Sequence, residues 1–113
     1  MNKVAVITGG SRGIGRASVE KFAQKGYKVA FCYEKNDKAA KEITEKFPDV
    51  TAVKCDVSKA DEVESFFDAV VEKWGRVDAV VSNAGISQVS LFTDITERQF
   101  DRVCDVNFKG AFL

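Results

Sequence analysis

Between Val4 and Gly15 the chain reads VAVITGGSRGIG. A short apolar run, Val4–Thr8, passes into a loop holding Gly9, Gly10, Gly13 and Gly15, and an amphipathic stretch follows at once. Continuous apolar character over so few residues predicts a strand buried on both faces. The stretch from Ile14 to Lys25 carries Ala17, Val19, Phe22 and Ala23 at helical spacing and has Gly26 just past its end, which predicts a helix. A plain strand-to-helix turn needs about one glycine. Four of them at a helix N-terminus suit a cradle, because that end presents unpaired N–H groups and the positive pole of the helix dipole to an anion.

The same alternation continues to the end. Lys28–Tyr33 reads as a strand, Asp37–Phe47 as a helix halted by Pro48, and Val50–Lys54 as a strand. Ser58 and Asp61 form a capping-box pattern ahead of Val63, Phe66, Phe67, Val70, Val71 and Trp74, which recur at helical spacing until Gly75. Val77–Ser82 is the next strand. Thr96 and Gln99 form a second capping-box pattern, and Phe100, Val103, Cys104 and Ala111 carry the final helix. Strand and helix in steady alternation imply parallel strands joined by right-handed crossovers. The expected fold is α/β: a doubly wound parallel sheet with helices on both faces.

Bulk properties narrow the function. At 113 residues the chain is one domain, with no linker or low-complexity tract. Its formal net charge is zero, which gives no broad attraction to nucleic acid or to an anionic membrane. No apolar run nears the ~20 residues of a membrane span, and the five apolar residues before Thr8 are too few for a signal peptide. Cys32, Cys55 and Cys104 are odd in number and widely spaced, as expected of reduced thiols in a cytoplasmic protein. Histidine is absent, so the commonest general base and zinc ligand are missing and no metal site is expected.

The glycine loop matches neither standard phosphate motif. In the P-loop pattern a lysine and a hydroxyl residue follow the last glycine; here Arg16 and Ala17 stand there. The spacing G-x-G-x-x-G fails as well, and what remains is T-G-x-x-x-G-x-G, at Thr8, Gly9, Gly13 and Gly15. Two more motifs fall at strand ends: Asp56-Val57 after the third strand and Ser82-Asn83-Ala84-Gly85 after the fourth. Taken singly, Asp56 caps a turn and Asn83-Ala84-Gly85 is a loop. Together they lie on the rim where doubly wound sheets bind ligands.

TGGSRGIG, Asp56-Val57, Asn83-Ala84-Gly85 and Val106-Asn107 resemble the short-chain dehydrogenases/reductases, in register over all 113 residues. Within that family the chain is most similar to bacterial 3-oxoacyl-carrier-protein reductases. The resemblance implies a Rossmann-like sheet truncated after about four strands, residues 1–113 being the N-terminal portion of one dinucleotide-binding domain. It implies that the loop of Thr8, Gly9, Ser11, Arg12, Gly13, Ile14 and Gly15 holds the pyrophosphate of a nicotinamide dinucleotide. Asp56 and Val57 would flank the adenine, and Asn83, Ala84 and Gly85 would line the ribose side and steady the sheet. Ser82 stands where relatives usually have a second asparagine.

Asn107 falls on the apolar stripe of the last helix, seven residues after Phe100. A buried amide there must be hydrogen-bonded or cost ~1–3 kcal/mol. The resemblance implies that it holds a water in the proton relay behind the catalytic lysine. An NAD enzyme would place an acid at the end of the second strand, where Tyr33 stands. With Arg12 able to pair a 2′-phosphate, NADP is the expected cofactor, although Glu34 opposes it and Lys35 offsets Glu34.

The family's catalytic Tyr-x-x-x-Lys is absent from these 113 residues: Tyr27 and Tyr33 are followed four places on by Phe31 and Asp37. The chain is therefore expected to be the N-terminal half of an NADP-dependent reductase of a small-molecule or carrier-bound carbonyl, inactive alone. Its parent would be a homo-oligomer, commonly a tetramer. The Val77–Val81 strand, interior in a complete sheet, is expected to leave one bare apolar edge. The alternatives are a nucleotide-binding or regulatory module without chemistry and, more remotely, a phosphoacceptor domain using Asp56.

Overall fold

The structure, a computed structural model, describes residues 3–11, 13–84 and 94–109. Four strands form one parallel sheet: β1 (Val4–Thr8), β2 (Lys28–Tyr33), β3 (Val50–Lys54) and β4 (Ala79–Val81). Their spatial order is β3-β2-β1-β4. Helices α1 (Gly13–Gln24), α2 (Asp37–Lys46) and α3 (Ala60–Trp74) connect successive strands, and α4 (Glu97–Cys104) runs into a π-helical segment, Asp105–Lys109.

Strand alternation supplies both faces. Ile7, Val29, Phe31 and Val50 pack with Val19 of α1 and Ala40 and Ile43 of α2. Val4, Val6, Ala30 and Cys32 point the other way, to Val63, Phe66 and Val70 of α3 and to Val106. Every residue from Val4 to Ile7 is fully buried, which is why β1 reads as a continuous apolar run. The expected doubly wound arrangement is what forms.

β1, β2 and β3 have the expected bounds; β4 is shorter than the expected Val77–Ser82. The Asp78 amide donates to the Val4 carbonyl at 2.8 Å while its carboxylate, held by the Arg76 guanidinium, accepts the Val4 amide at 2.8 Å, so at the start of this strand one of the two bonds to Val4 goes to a side chain. Helix α3 also begins differently. Lys59, whose ammonium cannot accept a hydrogen bond, is its N-cap and makes no side-chain cap bond; Ser58, one place earlier, donates its hydroxyl to Asp56 at 2.6 Å and accepts from Arg102 Nη1 at 3.0 Å. The second capping box forms as expected, with Thr96 Oγ1 accepting from the Gln99 amide and Gln99 Oε1 from the Thr96 amide.

Candidate functional site

Strand order reverses between β1 and β4, and the loops after those strands face each other there, as at the ligand crevice of doubly wound sheets. The glycine loop is shaped by two requirements. Gly13, at φ +58°, takes a left-handed turn that costs a side-chain-bearing residue about 1–2 kcal/mol. Gly15 lies where a Cβ would stand 2.0 Å from the Gly9 carbonyl oxygen and 2.6 Å from Asn83 Nδ2. The first glycine sets the direction of the chain into α1, and the second lets α1 press against the ends of β1 and β4.

The two loops are tied by side chains. Thr8 Oγ1 accepts from the amides of Asn83 (2.9 Å) and Ala84 (3.0 Å). Asn83 Nδ2 donates to the Gly9 carbonyl at 3.2 Å. Thr8 and Asn83 thus hold the crevice together.

Above them opens a cavity of about 560 Å³. Gly9, Ser11, Gly13 and Ile14 line one side; Tyr33, Val57, Asn83 and Ala84 complete the sequence-predicted part of the lining. Ile14 is 77% exposed at its mouth. Thr8, Gly15 and Asp56 stand behind the lining rather than in it. Arg12 and Gly85 lie outside the described residues. Among the described helices α1 alone has no carboxylate in its first turn; α2, α3 and α4 carry Asp37, Asp61 with Glu62, and Glu97 there. The end of α1 that faces the cavity therefore keeps its positive pole uncompensated.

Asp56 is the hub of a polar cluster. Its Oδ1 accepts from the Ser58 amide (3.0 Å) and hydroxyl, and its Oδ2 lies 3.2 Å from Arg102 Nη1. Burial alone would raise its carboxyl; the Ser58 hydrogen bonds and then the Arg102 guanidinium outweigh burial and hold it below the usual carboxylate range. Arg102 also reaches Glu34 at the end of β2, with Nη2 2.6 Å from Oε1. Tyr33 shares its hydroxyl with Asp37, which raises the phenol above its ordinary value.

Asn107 departs from expectation. It is exposed, and Val106 is the buried residue, at 4%. The α-helical pattern ends at Cys104 and a π-helical segment follows; the expected stripe is already out of phase in α4, before that segment begins. Phe100, expected on the buried face, is 62% exposed, and Ala111 lies outside the described residues.

Sequence reasoning gave no site role to Cys32, Cys55, Asn36 and Val106, all of which line the cavity, or to Arg102, whose partners are 46 and 68 residues away. The cysteines were visible in principle. Cys32 shares the face of Val4 and Val6, and Cys55 immediately precedes Asp56-Val57. Among the described residues no cluster of His, Cys, Asp and Glu is placed to hold a metal, and no helix is long and apolar enough to cross a membrane.

A family model described as short chain dehydrogenase matches residues 3–113. The chain belongs to the short-chain dehydrogenase family. Among curated members it is 40% identical over 116 residues to the 3-oxoacyl-[acyl-carrier-protein] reductase FabG of Staphylococcus epidermidis, covering 99% of this chain and 48% of that protein. It is 36% identical to the trihydroxynaphthalene reductase PfmaI of Pestalotiopsis fici, covering 98% of this chain and 41% of that protein. A 3-ketoacyl-(acyl-carrier-protein) reductase of Brucella melitensis, solved in complex with NADH, superposes with a TM-score of 0.90 at 33% identity over 98% of this chain and 46% of its own. A mutant short-chain dehydrogenase/reductase of Serratia marcescens gives 0.91 at 32% identity, over 97% and 46%. The chain spans about half the length of the short-chain dehydrogenases it matches.

Proposed function

We propose that this chain is the dinucleotide-binding half of a carbonyl reductase that takes hydride from NADPH, acting on a small-molecule or carrier-bound ketone. The observation that carries the reading is the cavity at the strand-order reversal, with the uncompensated N-terminus of α1 on one wall. A pyrophosphate fits there because main-chain amides and the helix dipole meet it with no carboxylate in the first turn of α1. Gly9, Ser11, Gly13 and Ile14, with Arg12, take the diphosphate. Val57 and Asp56 take the adenine side, and Asn83 and Ala84, with Gly85, take the ribose side. Thr8 and Gly15 act by holding the loops.

NADP is preferred over NAD on this reading. The residue closing β2 is Tyr33, a phenol already shared with Asp37. The adjacent Glu34, which would repel a 2′-phosphate, is tied to Arg102. Bound dinucleotide supplies the hydride. In a longer chain that brings the tyrosine and lysine, Asn107 steadies a water of the proton relay. The 113-residue chain alone binds weakly and reduces nothing.

Calorimetric titration of the chain with NADPH and NADH tests this. Tighter binding of NADPH is expected, and Arg102→Ala, by freeing Glu34, is expected to narrow the difference by about tenfold or more, one charge-assisted contact being worth about 1.5–3 kcal/mol. Equal or tighter binding of NADH would overturn the cofactor preference, and binding of neither would overturn the site.

A further inference from the structure

The cavity holds two thiols that hydride transfer does not use. Cys32, on β2, and Cys55, just past β3, both line it. Cys32 pairs with Val53 in the parallel register, so Cys55, two residues further on, lies on the same face of the sheet. Each thiol lies close enough to be the largest influence on the other's proton affinity. Exposure is 1% for Cys32 and 3% for Cys55. Bulky thiol reagents therefore have no outside route to them; only a molecule that enters the cavity meets the pair.

We propose that Cys32 and Cys55 are a modification site at which a small hydroperoxide forms a disulfide, and that this bond shuts the adenine side of the cavity. This second part rests on the dinucleotide reading above; the first does not.

Cys32 is the attacking sulfur. The neighbouring Cys55 thiol, outweighing burial, and then the Gly9 backbone lower its pKa; the neighbouring Cys32 and burial raise Cys55. That asymmetry suits a sensing thiol beside a resolving one. The Cys32 thiolate attacks one peroxide oxygen, the O–O bond breaks, and the departing hydroxide takes up the thiol's proton as water (an alcohol, for an organic peroxide). Cys32 becomes a sulfenic acid. Cys55 sulfur then attacks Cys32 sulfur, the S–O bond breaks, and the sulfenic oxygen leaves as water with the Cys55 proton. Two thiols are oxidised by two electrons, and one peroxide is reduced by two.

Closure must move the backbone. In a regular sheet a diagonal offset of one strand and two residues separates Cα atoms by about 8 Å, against about 5.5–6 Å across a disulfide. β2 is held on both sides, by β1 and β3. Cys55 is held at its amide by one ladder bond, to the Tyr33 carbonyl at 2.8 Å. Beyond that bond the segment from Cys55 to Ser58 is held by side chains, the Asp56 amide donating to Glu62 Oε1 at 3.0 Å and Arg102 pairing with Asp56, so closure breaks these contacts as it moves the segment and draws Val57 and Asp56 toward the space proposed for adenine.

The test uses Cys104→Ser, which leaves the pair as the chain's two remaining thiols and alters no cavity residue. Stoichiometric hydrogen peroxide is expected to lower the intact mass of the monomer by two hydrogens. Proteolysis should join the Cys32 and Cys55 peptides, and dithiothreitol should reverse the change. Adding Cys55→Ala is expected to stop the reaction at a Cys32 sulfenic acid, trapped by dimedone. Intermolecular linkage, or sulfinic acid without linkage, would overturn the site. Calorimetry on reduced and oxidised protein supplies the second arm, with NADPH affinity expected to fall by about tenfold or more on oxidation and to return on reduction. Unchanged affinity would overturn the closure. If the reduced protein bound no dinucleotide, the proposed function would fail and closure with it, while the linkage result would still decide the modification site.

Discussion

A methyl group on Gly15 would stand 2.0 Å from the Gly9 carbonyl oxygen, which is main chain and cannot swing aside. Gly15→Ala is therefore expected to destabilise the fold by about 1–3 kcal/mol, in the range of overpacked sites, and denaturant midpoints will show it. Gly13→Ala meets no atom within 4 Å and pays only for its positive φ, so it separates binding from packing. Asp78 gives a pH dependence. Arg76 first, and then the Val4 amide, hold its carboxyl below the usual range. A depressed folded-state pKa means stabilisation that is complete above the unfolded-state value, about 3.9, and is lost as pH falls through the lower folded value. Replacement by Asn should flatten the acid limb of a stability-against-pH curve measured by chemical unfolding. An unchanged acid limb would show that the Arg76–Asp78 pair does not contribute there.

At the scale of elements, what could be read from the chain was what local pattern controls. β1, β2 and β3 are apolar runs bounded by glycine, asparagine or proline, and their limits came out as expected. The Thr96–Gln99 box formed because both partners lie within one turn. Ser58 failed as a cap because α3 starts one residue later, with Lys59 at the N-cap, and the Ser58 oxygen accepts from Arg102. The site followed the same division. Its glycine loop and the Asn83 strand end were legible because backbone geometry demands those residue types. Arg102 was not, because its role depends on β2 and β3 ending beside α4, a fact of tertiary structure. Asn107 was misplaced because the apolar stripe was anchored on Phe100, which is exposed; Val106 is the buried residue.

Over the whole molecule, β4 pairs only with β1 among the described strands, and its central residue, Val80, is 54% exposed. Phe100 on α4 is exposed as well. An apolar strand with a free ladder recruits other chains. The 113-residue chain is expected to self-associate with rising concentration in sedimentation velocity, and Val80→Lys to shift it back toward monomer; a monomer at all concentrations would refute this. The cavity has a bearing on synthesis too. Among the described residues its lining runs from Gly9 to Val106. On a ribosome, where chains emerge N-terminus first, the glycine loop would appear early and wait, without its opposite wall, for nearly all of this chain. A ligand gripped from both sides cannot guide the early steps of folding; it can only reward a chain that has already closed.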